Sequence, residues 1–159
     1  MSKRITLKNI KHAAFASQET DCYEASVYFD DKKVGTVSND GHGGCDYEYP
    51  TDKAAWKKME DYISTLPKEE QYGLDQSLEL ICGDLVNEWL TAKDLKRALS
   101  KKVLFQKIGK EGLFQTKPAR NKETLQNWIK QIGERSDTQV VLNRIPFDSA
   151  LNIYVENAS

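Results

Sequence analysis

The fold prediction starts from residues 22–38, CYEASVYFDDKKVGTVS. Its first eight residues are rich in aromatic and β-branched types, as strands are. They alternate so that four side chains share one face: Tyr23, Ala25, Val27 and Phe29. Asp30 to Lys33 is typical of a turn, and Val34 to Ser38 has the composition of a returning strand. The stretch therefore predicts a β-hairpin.

The segments around this hairpin predict further strands and helices. The predicted strands are Ile5–Ile10, 102–108, 113–117 and 139–143. One predicted helix runs from Thr51 or Asp52 to about Leu66, and a second from Gln76 to Lys101 with Asp75 as its cap. A third runs from its cap Asn121 to Gly133, and a short fourth follows Pro146. Hairpins outnumber βαβ units in this order. It therefore predicts an α+β fold with a largely antiparallel sheet built from hairpins and helices packed on one face.

Length and composition predict one soluble globular domain over residues 1–159. The chain is 39% hydrophobic and 30% charged, which is ordinary for such a domain. No apolar run approaches the roughly 18 residues of a membrane span, and the first residues lack the apolar core of a secretory signal. We therefore expect a cytoplasmic protein without a membrane partner. The three cysteines are an odd number and are expected to be reduced thiols.

The net charge of −1 conceals a strong separation of charge along the chain. Glu19 to Glu88 contains 17 acidic residues against 6 lysines, whereas Lys93 to Lys130 contains 11 basic residues against 3 acids. Such asymmetry can create one acidic and one basic face, and a basic face attracts nucleic acid. The alternative is that the two segments interleave in space and cancel.

The most informative loop is Asn39–Asp46, which holds three glycines in four positions. One interpretation is a metal site. His42 and Cys45 have ligand-like spacing, and two further cysteines complete a structural zinc set: Cys22, His42, Cys45 and Cys82. The alternative for Cys22 and Cys82 is that they are small buried apolar residues.

The same loop allows two other chemistries. His42 could activate Cys45, oriented by a neighbouring carboxylate, which gives a candidate catalytic set of Asp40, His42, Cys45 and Asp46. Successive glycine N–H groups could instead hold an anion, although the acidic surroundings favour Mg²⁺ or Ca²⁺ over phosphate. Against all of these stands a purely structural turn held by Asn39, Asp40 and His42. The cofactor expected from the loop, if any, is zinc or another divalent cation.

The basic stretch predicts a nucleic-acid surface. Its candidate residues are Lys93, Lys96, Arg97, Lys101, Lys102, Lys107 and Lys110. Aromatic residues between cations suit single-stranded nucleic acid, in which bases stack and lysines follow the phosphates. However, Phe105, Phe114 and Trp128 also fit core positions of their strands and helix, and the core is the favoured location.

Two motifs resemble those of small proteins carried by bacteriophages, plasmids and integrated elements of proteobacteria. They are D-x-K-V-G-x-V-S-N-D-G-H-G-G-C-D at residues 31–46, and Leu74–Trp89 with the following Lys93–Arg97. Val103–Phe105 and Pro146–Leu151 are similar as well. The resemblance implies a setting on mobile elements and carries no activity. Small accessory proteins in that setting often bind host defence or nucleic-acid machinery, which is an analogy of context.

The sequence leads to two hypotheses of function. The first is a mobile-element accessory protein that binds a host or phage macromolecule, a protein partner or nucleic acid, through segregated charged faces. The second is a metal-dependent hydrolase or nuclease centred on the loop of residues 39–46. Neither hypothesis fixes the oligomeric state.

Overall fold

A computed structural model describes residues 3–157, in an α+β fold with two antiparallel sheets. The predicted fold class is confirmed, and the described residues form two separate sheets, one of four strands and one of three. The elements are β1 (Ile5–His12), β2 (Tyr23–Phe29), β3 (Lys32–Asn39), β4 (Tyr47–Pro50), α1 (Lys53–Ser64), α2 (Leu78–Leu99), β5 (Leu104–Lys107), β6 (Phe114–Gln115), α3 (Lys122–Gly133), β7 (Thr138–Val141) and α4 (Phe147–Glu156).

The chain divides into two compact units, Met1–Glu88 and Trp89–Ser159, and the boundary falls within α2. The first contains 17 acidic and 10 basic residues and carries a net charge of −7, so we term it the acidic unit. The second contains 13 basic and 7 acidic residues, a net charge of +6, and is termed the basic unit. The single domain over residues 1–159 stays a prediction.

The sheet of the acidic unit has the strand order β1-β2-β3-β4 and includes the predicted hairpin as β2 and β3. The turn consists of Asp30 and Asp31, whose φ angles are 49° and 66°. Positive φ at both central residues is what a two-residue type I′ hairpin turn requires, and aspartate tolerates it. Because the turn is so short, β3 begins at Lys32, two residues before the predicted start.

One face of this sheet is covered by α1. The ring of Trp56 lies so close to Gly35 that a Cβ there would be 2.6 Å from it. The ring of Tyr62 packs at 5.6 Å from that of Phe29. The side chains predicted for the inner face of β2 are buried: Tyr23, Ala25, Val27 and Phe29. For this sheet, helix packing on one face is confirmed.

The sheet of the basic unit, in the order β6-β5-β7, has helices on both faces. Consecutive strand residues point to opposite faces. Phe105 belongs to a buried cluster with α3 residues Leu125, Ile129 and Ile132, whereas Leu104 packs with Leu95 of α2 and Ala150 of α4. The expectation of helices on one face is therefore wrong here. The reason is the run Val103–Phe105, which is apolar at every position and is buried on both sides.

Side-chain caps fix most helix starts. Asp52 accepts from the N–H of Ala55 at 3.0 Å and Asn121 from that of Thr124 at 2.8 Å, so both predicted caps are confirmed. The predicted Asp75 cap is wrong. Since α2 begins at Leu78, it is the Ser77 hydroxyl that accepts from the N–H of Leu80, at 3.2 Å. None of the helices within residues 3–157 combines the length and apolar content needed to cross a bilayer.

Candidate functional site

The predicted site, residues 39–46, is a turn between β3 and β4 that is organised by the buried side chain of Asn39. Its Oδ1 accepts from the Thr20 hydroxyl at 2.6 Å and from the N–H of Gly41 at 2.9 Å. Its Nδ2 donates to Oδ1 of Asp46 at 3.1 Å. A buried side-chain amide without hydrogen-bond partners costs about 1–3 kcal/mol of stability. Because movement of the loop would break these bonds and incur that cost, they hold the loop in one conformation.

Residues 17–20, between β1 and β2, also hold the loop by hydrogen bonds to Gly41 and Gly43. The carbonyl oxygen of Gly41 accepts from the N–H groups of Gln18 at 3.0 Å and Glu19 at 2.9 Å. The N–H of Gly43 donates to the Thr20 hydroxyl at 3.4 Å. The glycine-rich loop is therefore attached to a second segment about twenty residues away in the chain.

The four predicted catalytic residues, Asp40, His42, Cys45 and Asp46, do not form a connected group. Oδ2 of Asp46 accepts from the Tyr23 hydroxyl at 2.5 Å, and Asp40 accepts from the backbone N–H of His42 at 3.3 Å. The side chains of His42 and Cys45 are exposed, and within residues 3–157 neither makes a hydrogen bond or ion pair. An activated thiol needs a base beside it. The catalytic role stays a prediction that this arrangement does not support.

The structure does not bring the predicted zinc set together: Cys22, His42, Cys45 and Cys82 form no common group, so the zinc site stays a prediction that this arrangement does not support. Cys82 is buried, Cys22 is half-buried and Cys45 is exposed. Within residues 3–157, no group of three or more histidine, cysteine, aspartate or glutamate side chains is placed to hold a metal ion. The zinc, Mg²⁺ and Ca²⁺ interpretations of the loop therefore lack a ligand set in the described chain.

Cys82 lies in a buried environment that favours the protonated thiol. Burial, with the nearby carboxylates of Asp46 and Glu48, raises the pKa of its thiol to about 12, so the thiol is protonated at neutral pH. The alternative interpretation, a small buried apolar residue, agrees with its complete burial.

Carboxylates gather near this end of the sheet. Partial burial and repulsion by Glu60, Asp46 and Glu79 raise the pKa of Glu48. Burial and the bond to Asp46 raise the pKa of the Tyr23 phenol far above its ordinary value, so this hydroxyl stays protonated and donates. The result is a hydrogen-bonded, acidic anchor for the loop.

A group that the sequence did not reveal lies beside the loop. Nε2 of His12 is 3.1 Å from Oδ1 of Asp21 and 3.5 Å from the Ser17 hydroxyl. A catalytic triad uses both ring nitrogens, one for the acid and one for the nucleophile, whereas both contacts here involve Nε2. The Ser17 hydroxyl also donates to the carbonyl of Ala13 and accepts from the N–H of Cys22, each at 2.8 Å. The group therefore stabilises the connection between β1 and β2.

The predicted nucleic-acid residues are distributed over the basic unit. Three of them occupy one side of the last turns of α2 at three- and four-residue spacing: Lys93, Lys96 and Arg97. Lys101 and Lys102 follow directly, Lys107 lies on β5 and Lys110 in the turn after it. Six further cations of this unit lie outside the predicted set: Lys117, Arg120, Lys122, Lys130, Arg135 and Arg144.

Nearly all cations of the basic unit lack a carboxylate partner, although the ammonium groups of Lys93 and Lys96 lie 4.6 and 5.3 Å from the ring centres of Trp89 and Phe147. Lys107 lies 4.0 Å from a carboxylate oxygen of Asp137. Within residues 89–157, no other lysine or arginine has a carboxylate oxygen within 4.0 Å. Their charge is therefore not neutralised locally and remains available to a ligand.

The aromatic residues between these cations belong to the core, as the favoured interpretation predicted. Phe105 is buried, its ring stacks at 5.9 Å on that of Phe114, and Trp128 packs against the same cluster. The ammonium group of Lys107 lies 4.7 Å from the centre of the Phe114 ring. These rings support the fold, with Phe105 buried and with Phe114 and Trp128 half-buried against it.

No protein-family model matches the chain, and neither the curated proteins nor the solved structures contain a match to it. The resemblance to proteins of phages and plasmids stays a prediction.

Proposed function

We propose that the protein acts by binding, and that its basic unit engages the phosphates of nucleic acid. The observation that carries this proposal is the separation of charge between two compact units, +6 against −7. Cations that no carboxylate neutralises attract phosphates and release condensed counterions when they bind. The resemblance to mobile-element proteins makes phage and host nucleic acid the first ligands to test.

The second hypothesis, a metal-dependent hydrolase or nuclease, has no observation in its favour. Metal-assisted hydrolysis needs several ligands that converge on one ion. Residues 3–157 contain no such group, and Asp46 is already engaged by Tyr23 and Asn39. We therefore do not carry this hypothesis further.

The proposal is tested by the salt dependence of binding. Fluorescence anisotropy with a labelled duplex, measured from about 50 to 200 mM salt, gives the slope of log K against log salt, to which each phosphate contact contributes about 0.9. The combined variant Lys93→Gln, Lys96→Gln and Arg97→Gln removes three cations from one side of α2. We expect weaker binding and a slope smaller in magnitude by up to about 3.

A matched control is available in the acidic unit. Lys53, Lys57 and Lys58 also lie on one helix, α1, so their replacement by glutamine removes the same charge from the chain. We expect this control to alter the slope far less. Equal effects of the two triple variants, binding that does not respond to salt, or no binding at all would contradict the proposal.

A further inference from the structure

The four-stranded sheet has a second face, opposite to the one that α1 covers. Residues paired across strands share a face, and neighbours along a strand alternate. Thr36 pairs with Tyr49 and Ser38 with Tyr47, whereas Gly35 and Val37, which alternate with them, belong to the covered side. We term this second side the open face.

Aromatic side chains are exposed on the open face. Tyr47 and Tyr49 on β4 are 54% and 57% exposed, and as alternate residues of a strand they stand about 7 Å apart. Tyr28 lies on the same side, and the ammonium group of Lys8 is 4.4 Å from the centre of its ring. The two exposed rings of Tyr47 and Tyr49 offer flat surfaces on which bases can stack.

The charge of the open face differs from that of its unit. Lys8 pairs with Ser26, Lys11 with Glu24, and Lys33 with Tyr28, which places all three lysines on this side. Among the residues of β1 to β4, the carboxylates are Glu24 on the open face and Glu48 on the covered one. The open face is therefore positive within a unit whose net charge is −7, and it is complementary to a polyanion.

A groove of about 480 Å³ lies at one end of this face, where Lys11, Glu24, Ser38 and Tyr47 line it together with residues beyond the face that include Tyr23 and Asp40. It provides space beside the Tyr47 ring. A carboxylate such as that of Glu24 can accept a hydrogen bond from the amino group of a base, as from N4 of cytosine.

We propose that the open face binds single-stranded nucleic acid, with bases stacked on Tyr47 and Tyr49 and phosphates directed to Lys8 and Lys33. Stacking on a protein ring needs an unpaired base, so this surface discriminates single strands from duplexes. The phosphate contacts proposed for the basic unit make no such distinction. The inference therefore goes beyond the proposed function, concerns a different part of the chain, and can fail independently of it.

The test compares a labelled single-stranded oligonucleotide of mixed pyrimidines with a duplex of the same length, by fluorescence anisotropy. We expect Tyr47→Ala and Tyr49→Ala each to weaken single-strand binding by about fivefold to a hundredfold, the range that loss of one stacked base produces. Binding of the duplex should be unchanged. Tyr47→Phe and Tyr49→Phe keep the rings and should behave as the unmodified protein.

Tyr72 provides the matched control, because it is an exposed tyrosine of the same unit that lies outside the sheet. Tyr72→Ala should leave both affinities unchanged. A second measurement uses the unmodified protein, so it does not depend on the folding of any variant: photocrosslinking of a bromouracil-containing single strand should label the peptide that holds residues 47–49. Unaltered single-strand binding in the alanine variants, equal losses for strand and duplex, or crosslinks confined to the basic unit would each overturn the inference.

Discussion

Replacement of Gly41 by alanine is expected to destabilise the protein much more than replacement of Gly44, although the two glycines have the same backbone conformation. Their φ angles are +86° and +85°. A left-handed conformation costs a residue with a Cβ about 1–2 kcal/mol, and both variants incur this cost. What differs is the surroundings of the added methyl group.

At Gly44 a Cβ meets nothing within 4 Å, so the backbone cost is the whole effect. At Gly41 it would lie 2.0 Å from the carbonyl oxygen of Ala16, and the backbone must move. That movement breaks or weakens the bonds from Gln18 and Glu19 to the Gly41 carbonyl, and the bond from the Gly41 N–H to Asn39. With up to about 1 kcal/mol lost for each of these three bonds, which are weakened or broken, and about 1–2 kcal/mol for the backbone, the expected loss is about 3–5 kcal/mol for Gly41→Ala and about 1–2 kcal/mol for Gly44→Ala.

The assay is urea and thermal unfolding of the three proteins by circular dichroism. For a chain of this length, 1 kcal/mol corresponds to about 2–4 °C in Tm, so we expect decreases of about 6–20 °C for Gly41→Ala and about 2–8 °C for Gly44→Ala. Equal decreases in the two variants, or a smaller one for Gly41→Ala, would refute the conclusion that residues 17–20 clamp the loop at this position.

Three further predictions concern the same region. Because the His42 imidazole is exposed and has no partner within residues 3–157, His42→Ala should change the free energy of unfolding by less than about 0.5 kcal/mol; a large loss in a denaturation curve would show a structural role for the ring. In the native protein, iodoacetamide should label Cys45 first and Cys82 only after unfolding, since Cys82 is buried and its pKa is raised to about 12; mass spectrometry of the labelled peptides checks this order, and early labelling of Cys82 would contradict it. The pKa of Glu48 is raised in the folded protein, so its carboxyl favours folding at low pH and this contribution is lost as pH rises through the raised pKa. Glu48→Gln should therefore raise Tm at pH 7, by about 2 °C or less because the side chain is largely exposed, and the gain should vanish below about pH 4; a gain that persists there would contradict the assignment.

The sequence predicts local structure better than it predicts the site. The β2–β3 hairpin follows from the alternation of residues 23–29, and the caps Asp52 and Asn121 follow from side chains that bond a backbone three residues away. The hydrogen bonds that hold the loop join residues that are far apart in the sequence. Thr20 and Asn39 are 19 residues apart, and Tyr23 and Asp46 are 23 apart, so spacing alone cannot show that they meet. The loop contains residue types suited to catalysis, but these distant contacts determine where the loop and its side chains lie.

The clamped loop and the open face are consequences of one arrangement. The tie between Asp46 and both Tyr23 and Asn39 fixes the chain just before β4 begins, and the first pair of the β3–β4 ladder, Ser38 with Tyr47, follows directly. A shift of one residue in that register would turn Tyr47 and Tyr49 to the side that α1 covers and bring Glu48 to the open face. The hydrogen bonds of the glycine-rich turn therefore determine which side chains the sheet exposes. On this argument residues 39–46 set which side chains β4 exposes, and the exposed His42 and Cys45 need no chemical role to explain the sequence around them.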